Sequence, residues 1–87
     1  MTSPAKLYAK LLANPGATIS FRDFERLLSA AGFKLLRTAG SHRQYKHPAI
    51  ASVLSVQPLG SDAKRYQVRQ FLVMMREAEL SIDGGES

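Results

Sequence analysis

The stretch "FKLLRTAGSHRQYKHP", residues 33–48, marks a change in the chain's hydrophobic period. Upstream, apolar residues recur at helical spacing. From Phe33 onward the pattern is that of strands and turns: "FKLLRT" reads as a strand, "AGS" as a turn and "HRQYKH" as a second strand. Alternation along that second strand puts His42, Gln44 and Lys46 on one face and Arg43, Tyr45 and His47 on the other. Both histidines of the chain therefore lie here, on opposite faces, with no acidic residue between 33 and 48. Pro48 closes the strand, since proline cannot donate to a ladder. After the connection "PAIA", "SVLSVQ" (52–57) is expected to return as a third strand.

Working back toward the N-terminus, "ISFRDFERLLSAAGF" (19–33) predicts a well-specified helix. Ser20 is placed to cap it and Asp23 follows three residues later, a capping-box variant with Asp for the usual Glu or Gln. Ile19 and Phe24 suit a hydrophobic staple. Phe24, Leu27, Leu28 and Ala31 form the apolar face, and Gly32 ends the helix. An earlier helix is expected in "SPAKLYAKLLANPG". There Ser3 is the cap, Pro4 the first helical residue and Leu7, Leu11 and Leu12 the apolar stripe, with "NPG" as the stop.

Downstream, "QPLGSDAKR" reads as a loop. Val68, Phe71, Leu72, Met75 and Ala78 then predict a last helix over about 65–80, with Met74 and Met75 as packing residues. The sum is an α+β domain with helix, helix, three antiparallel strands and helix. Without the first helix the order is α-β-β-β-α, with helices packed on one side of the sheet, as in double-stranded-RNA-binding domains. The expected organisation is a helical extension at 1–18, a core domain at 19–80 and a frayed tail at 81–87.

Eighty-seven residues hold a single core. The absence of cysteine removes disulfides, thiolate nucleophiles and cysteine-based zinc sites together. With the acids scattered, no metal site and no cofactor are expected. "MTSPAKLYAKLLANPG" carries a charge within each short apolar run, which fits neither a signal peptide nor a membrane span, so a cytoplasmic protein is expected. The net charge of +5 is concentrated in the middle: residues 34–69 carry seven cations against one acid, Asp62, whereas the tail is acidic. That asymmetry fits a polyanion partner such as nucleic acid, and charge alone fits a solvated basic surface equally well.

The residue types present narrow the chemistry further. No catalytic triad has obvious members, and "AGSH" is a turn, not a phosphate loop. One reaction suits histidine among cations: cleavage of RNA by its own 2′-hydroxyl. The protein then needs only to move protons and to stabilise charge on the phosphate. Histidine's ordinary pKa near 6.5 suits such transfer at neutral pH.

His42, following Gly40 and Ser41 at the start of a strand, is the candidate catalyst, its alternative reading being a plain polar strand-end residue. Arg43, Lys46, Lys64 and Arg65 are the candidate phosphate contacts. Arg69 fits either a phosphate contact or a solvated helix face. His47 reads as structural or as a phosphate contact, and Tyr45 as a half-buried core residue with its hydroxyl at the surface.

The ordered set of a helix ending "LLSAAGF", "KLLRT", "GSH", a strand ending "KHP", and a basic stretch leading into "VRQFL" closely resembles the HicA-type toxins. These are small bacterial mRNA interferases of HicA–HicB toxin–antitoxin systems. The resemblance covers roughly residues 20–80. It implies the α-β-β-β-α fold, endoribonuclease activity on mRNA with His42 at the catalytic position, and Gly40 and Ser41 as its turn. It also implies a HicB-type antitoxin that covers the active site, with no membrane and no small-molecule cofactor involved. Many members carry a second histidine directly after the first, followed by an apolar residue. Here Arg43 and Gln44 stand at those positions.

Two other readings belong to different classes. One is a non-catalytic RNA-binding module on the same fold. The other is a structural subunit that docks only protein.

Overall fold

A computed structural model describes residues 2–82. Its elements are α1 (Pro4–Ala13), α2 (Phe21–Ala31), β1 (Lys34–Ala39), β2 (His42–Lys46), β3 (Leu54–Val56), β4 (Pro58–Leu59), β5 (Asp62–Ala63) and α3 (Arg65–Glu77). β1, β2 and β3 form an antiparallel sheet in that order, while β4 and β5 form a separate hairpin. The fold is α+β, its order compatible with the α-β-β-β-α arrangement of double-stranded-RNA-binding domains.

Helix α2 forms where its caps dictate. The Ser20 side chain accepts a hydrogen bond from the Asp23 amide at 3.1 Å, satisfying one of the helix's unpaired donors. Asp23 itself pairs with Arg26 at 3.0 Å, so only the Ser half of a capping box is present. At the other end Gly32 adopts a left-handed conformation, φ 102°, and its amide returns to Leu28 and Ser29. Helix α1 is capped by Ser3, but its inner face is Leu7, Tyr8 and Leu11. Leu12, expected in the stripe, is 57% exposed, because the 7, 8, 11 triplet already lines the side turned toward the core.

The core unites all three helices with β2 and β3. Phe24, Leu27 and Leu28 of α2, Phe71 and Met75 of α3, Leu11 of α1 and Leu54 and Val56 of β3 are completely or almost completely buried. Phe71 is the hub, with edge-on contacts to Tyr8 and Phe24 and a tilted contact to Phe33 at 5.8 Å. Truncating such a ring to Ala ordinarily costs about 3–5 kcal/mol.

Two expectations are corrected. "QPLGSDAKR" is not simply a loop: it contains the β4–β5 hairpin, turned at Gly60, φ 64°, and Ser61. Its strands are two residues each, too short to show a hydrophobic period. The hairpin is held by the segment before α2: the Phe21 amide donates to Ser61 O (2.9 Å) and the Ala63 amide to Ile19 O (3.0 Å). The last helix also ends at Glu77, three residues before the expected stop. Glu79 turns left-handed, φ 56°, and the Glu79 and Leu80 amides return to Arg76 O and Met75 O, a Schellman closure that needs no glycine here.

The expected tail, 81–87, falls largely on residues 83–87, which lie outside the described residues. No helix among the described residues is long and apolar enough to cross a membrane.

Candidate RNA-contacting site

The β1–β2 connection is a two-residue loop, Gly40–Ser41, closed by the pair Ala39 and His42. Gly40 has φ 61° and Ser41 is not among the positive-φ residues, the pattern of a type II′ hairpin turn. A side chain at Gly40 would meet nothing within 4 Å, so backbone conformation, not space, requires glycine there. His42 is the first residue after the turn. It is exposed, and among the described residues its imidazole has no hydrogen-bond partner. That leaves both ring nitrogens open to a ligand.

Arg43 points to the other face, as alternation predicts. Its Nη1 donates to both Glu25 carboxylate oxygens at 2.6 Å, and its guanidinium lies over the Phe21 ring, 5.5 Å from the centroid. Tyr45 donates its hydroxyl proton to Glu25 Oε2 at 2.7 Å. Burial, and then the bond to Glu25, push the Tyr45 phenol up to about 12. The hydrogen bond from Arg43 to Glu25, with the attraction between the two charges, raises the guanidinium's pKa further. Glu25 is thus the carboxylate that the linear sequence did not reveal beside the histidine stretch. Its signal was weak: it lies one helical turn after Phe21, at the border of α2's apolar face.

Lys46 stands at the far end of β2, four residues from His42, or roughly 13 Å at strand rise. Its ammonium donates to the carbonyls of His47, at 2.9 Å, and Ile50, tying down the "HPAI" connection. His47 is buried. Its Nδ1 accepts from the Ala49 amide at 2.9 Å, which leaves the proton on Nε2, donated to Ala31 O at 3.1 Å. The ring also packs edge-on against Phe33, 5.3 Å between centroids. Of the two readings left open for His47, this geometry is the structural one.

Lys64 is the N-cap residue of α3, with no side-chain capping bond, and Arg65 opens the helix. Arg65 Nη2 reaches Thr18 Oγ1 at 3.5 Å. Lys64, Arg65, Tyr66 and Arg69 line an open groove with Thr18 and Asp62. Arg69 thus faces the groove and not only bulk solvent. Tyr66, 56% exposed, was not singled out from sequence, where a lone tyrosine amid cations carries no period.

The groove and the His42 turn belong to one end of the molecule. Arg43 pairs with Val56 across the β2–β3 ladder. The next residue, Gln57, donates its amide to Gln67 Oε1, in the first turn of α3, at 3.0 Å. Gln67 is only 3% exposed, so this bond is shielded and fixes β3's end against α3's start. Arg43, the neighbour of His42, is thereby tied through β3 to the first turn of α3, which carries Arg65, whereas Lys46 stands at the other end of β2. Among the described residues no three His, Asp or Glu side chains converge as a metal site would require.

No curated protein and no solved structure matches the chain. A family model described as the HicA toxin of bacterial toxin–antitoxin systems matches residues 21–80, from the first residue of α2 to just beyond the end of α3. That span holds the His42 turn, the Glu25–Arg43–Tyr45 contacts and the cations of the groove, and it covers more than half of the chain: the protein belongs to the HicA toxin family.

Proposed function

We propose that the chain is an endoribonuclease toxin that cleaves mRNA, with His42 as general acid or base. The observation that carries this reading is the free imidazole of His42, exposed on a tight turn at the same end of the molecule as Lys64 and Arg65. Attack of a ribose 2′-hydroxyl on the adjacent phosphorus forms the P–O2′ bond and breaks the P–O5′ bond. One proton must leave the 2′-oxygen and one must reach the departing 5′-oxygen, and His42 serves one of these transfers. Cations near the phosphate stabilise the charge that develops on it. No metal enters this scheme.

Gly40 and Ser41 bring backbone close to the RNA, and Lys64 and Arg65 hold phosphates beside the N-terminus of α3, where helix amides also favour anions. Arg43 and Lys46 are already engaged by the protein, and their proposed shares differ. Arg43 keeps unused donors near His42, while Lys46, with two N–H groups on the His47 and Ile50 carbonyls, keeps one for a phosphate farther along the strand. A HicB-type antitoxin is proposed as the partner that covers this end, in the cytoplasm.

Induced expression of wild type and His42→Ala, scored for growth and mRNA decay, tests the reading. Arrest and decay with wild type and neither with the variant is the expected result; undiminished cleavage by His42→Ala refutes it. A second reading has one observation in its favour. The other histidine is buried under α2, so no second imidazole stands by to complete the proton transfers. A non-catalytic RNA-binding module would shift RNA in a gel and never cut it.

A further inference from the structure

Glu25 is an acid in the one part of the molecule where an RNA-binding protein would be expected to avoid acids. Simple electrostatics makes it a liability for phosphate binding. Its geometry suggests a use. The carboxylate holds Arg43 by a single nitrogen: Nη1 faces both of its oxygens at 2.6 Å. Among the described residues, Nη2 and Nε of Arg43 have no partner. The guanidinium therefore presents a complete second edge of parallel N–H donors, the arrangement that binds a phosphate through two bonds at once.

The support behind this edge is fixed in turn. Tyr45 anchors Glu25 through the 2.7 Å bond to Oε2. Phe21 lies against the guanidinium at 5.5 Å, one turn before Glu25 on the same helix. Tyr45 is itself buried in β2, two residues after Arg43. A flexible arginine is thus held by two residues of α2, Glu25 and Phe21, its side chain still 42% exposed.

We infer that Glu25 is a positioning residue that presents the free edge of Arg43 to an RNA phosphate next to His42. This inference rests on the RNA-cleaving reading above. His42 and Arg43 project from opposite faces at the very end of the sheet. The RNA backbone therefore crosses that end, one phosphate meeting the Arg43 edge and a neighbouring one lying at His42. Holding the arginine in advance removes the ordering cost that a free side chain would incur on binding.

The test is affinity and its salt dependence for a short 2′-O-methyl RNA of mixed sequence, which binds without being cut. Glu25→Ala weakens binding about tenfold, the worth of one charge-assisted contact. The slope of log affinity against log salt falls by about 0.7, one phosphate contact on a single strand. Glu25→Gln, which keeps an oxygen for Arg43, restores most of the affinity. In an Arg43→Gln background, Glu25→Ala has no further effect.

Unchanged or tighter binding by Glu25→Ala overturns the inference, because removal of a negative charge alone predicts that sign. A loss that persists in full without Arg43 also overturns it, since the carboxylate would then act only through the fold. Where Glu25→Ala does not fold, Arg43→Lys makes the same test. Lysine keeps the charge and the pairing to Glu25 but has no second edge, so wild-type affinity in that variant ends the idea. Failure of the wild type to bind RNA would remove the RNA-cleaving reading itself, a result distinct from each of these.

Discussion

His47 and Gly32 are fitted to each other. A β-carbon on Gly32 would lie 2.8 Å from His47 Nε2, the atom that donates to Ala31 O one residue before the glycine. The end of α2 and the end of β2 thus close on one another, with Phe33 packed edge-on against the same imidazole. "GF" and "HP", which are far apart in sequence, are two halves of one joint.

That joint sets the first expectation. Gly32→Ala combines a left-handed backbone, φ 102°, with a clash into His47, and should cost about 2–4 kcal/mol. His47→Ala leaves Ala31 O unpaired and a void beside Phe33, with a loss in the same range of about 2–4 kcal/mol. Urea unfolding measures both. RNA cleavage by whatever fraction stays folded should run at the wild-type rate, since this joint lies at the opposite end of β2 from His42.

His42→Ala is the converse case. The side chain is exposed and touches no hydrogen-bonding partner among the described residues, so its removal should leave stability within about 0.5 kcal/mol of wild type. Cleavage should be lost. A variant that cuts RNA normally, or one that melts early, contradicts the placement of this residue.

Much of this division was legible in the chain. Alternation in "HRQYKH" placed the two histidines on opposite faces, and the Ser20 cap, the Phe24–Leu28 stripe and Gly32 gave α2 its bounds. What the chain hid were contacts between elements distant in sequence. Glu25 meets Arg43 only because α2 packs across β2, eighteen positions away. Lys46 reads as a phosphate contact because its sequence neighbours are basic, and its further reach to the His47 and Ile50 carbonyls depends on how the connection folds back. The β4–β5 hairpin left no trace because two-residue strands have no period.

Lys64 and Arg65 should act as interchangeable phosphate contacts. Replacing either with Gln is expected to weaken RNA binding to a similar degree whatever the sequence, each flattening the salt slope by about 0.7. Electrophoretic titrations at several salt concentrations decide the matter. A sequence-dependent loss would instead make these side chains base readers.

Tyr45 gives a signature in alkali. Its phenol is held up to about 12 by burial and by the bond to Glu25, whereas an unfolded tyrosine ionises near 10, as tyrosines usually do. The folded state therefore binds this proton more tightly than the unfolded one. The resulting stability is complete below about pH 10 and is lost as the pH rises through about 12, because the unfolded chain gives up the proton first. Urea midpoints measured across that window should fall more steeply for wild type than for Tyr45→Phe, which has no phenol to ionise. Absorbance of the folded protein should show a late tyrosinate component that Tyr45→Phe removes, apart from that of Tyr8, whose phenol burial also raises. Glu25→Gln should bring that component to lower pH, because an uncharged partner no longer opposes the phenolate. Parallel slopes for wild type and Tyr45→Phe would mean that the fold does not hold the phenol's proton above its ordinary range.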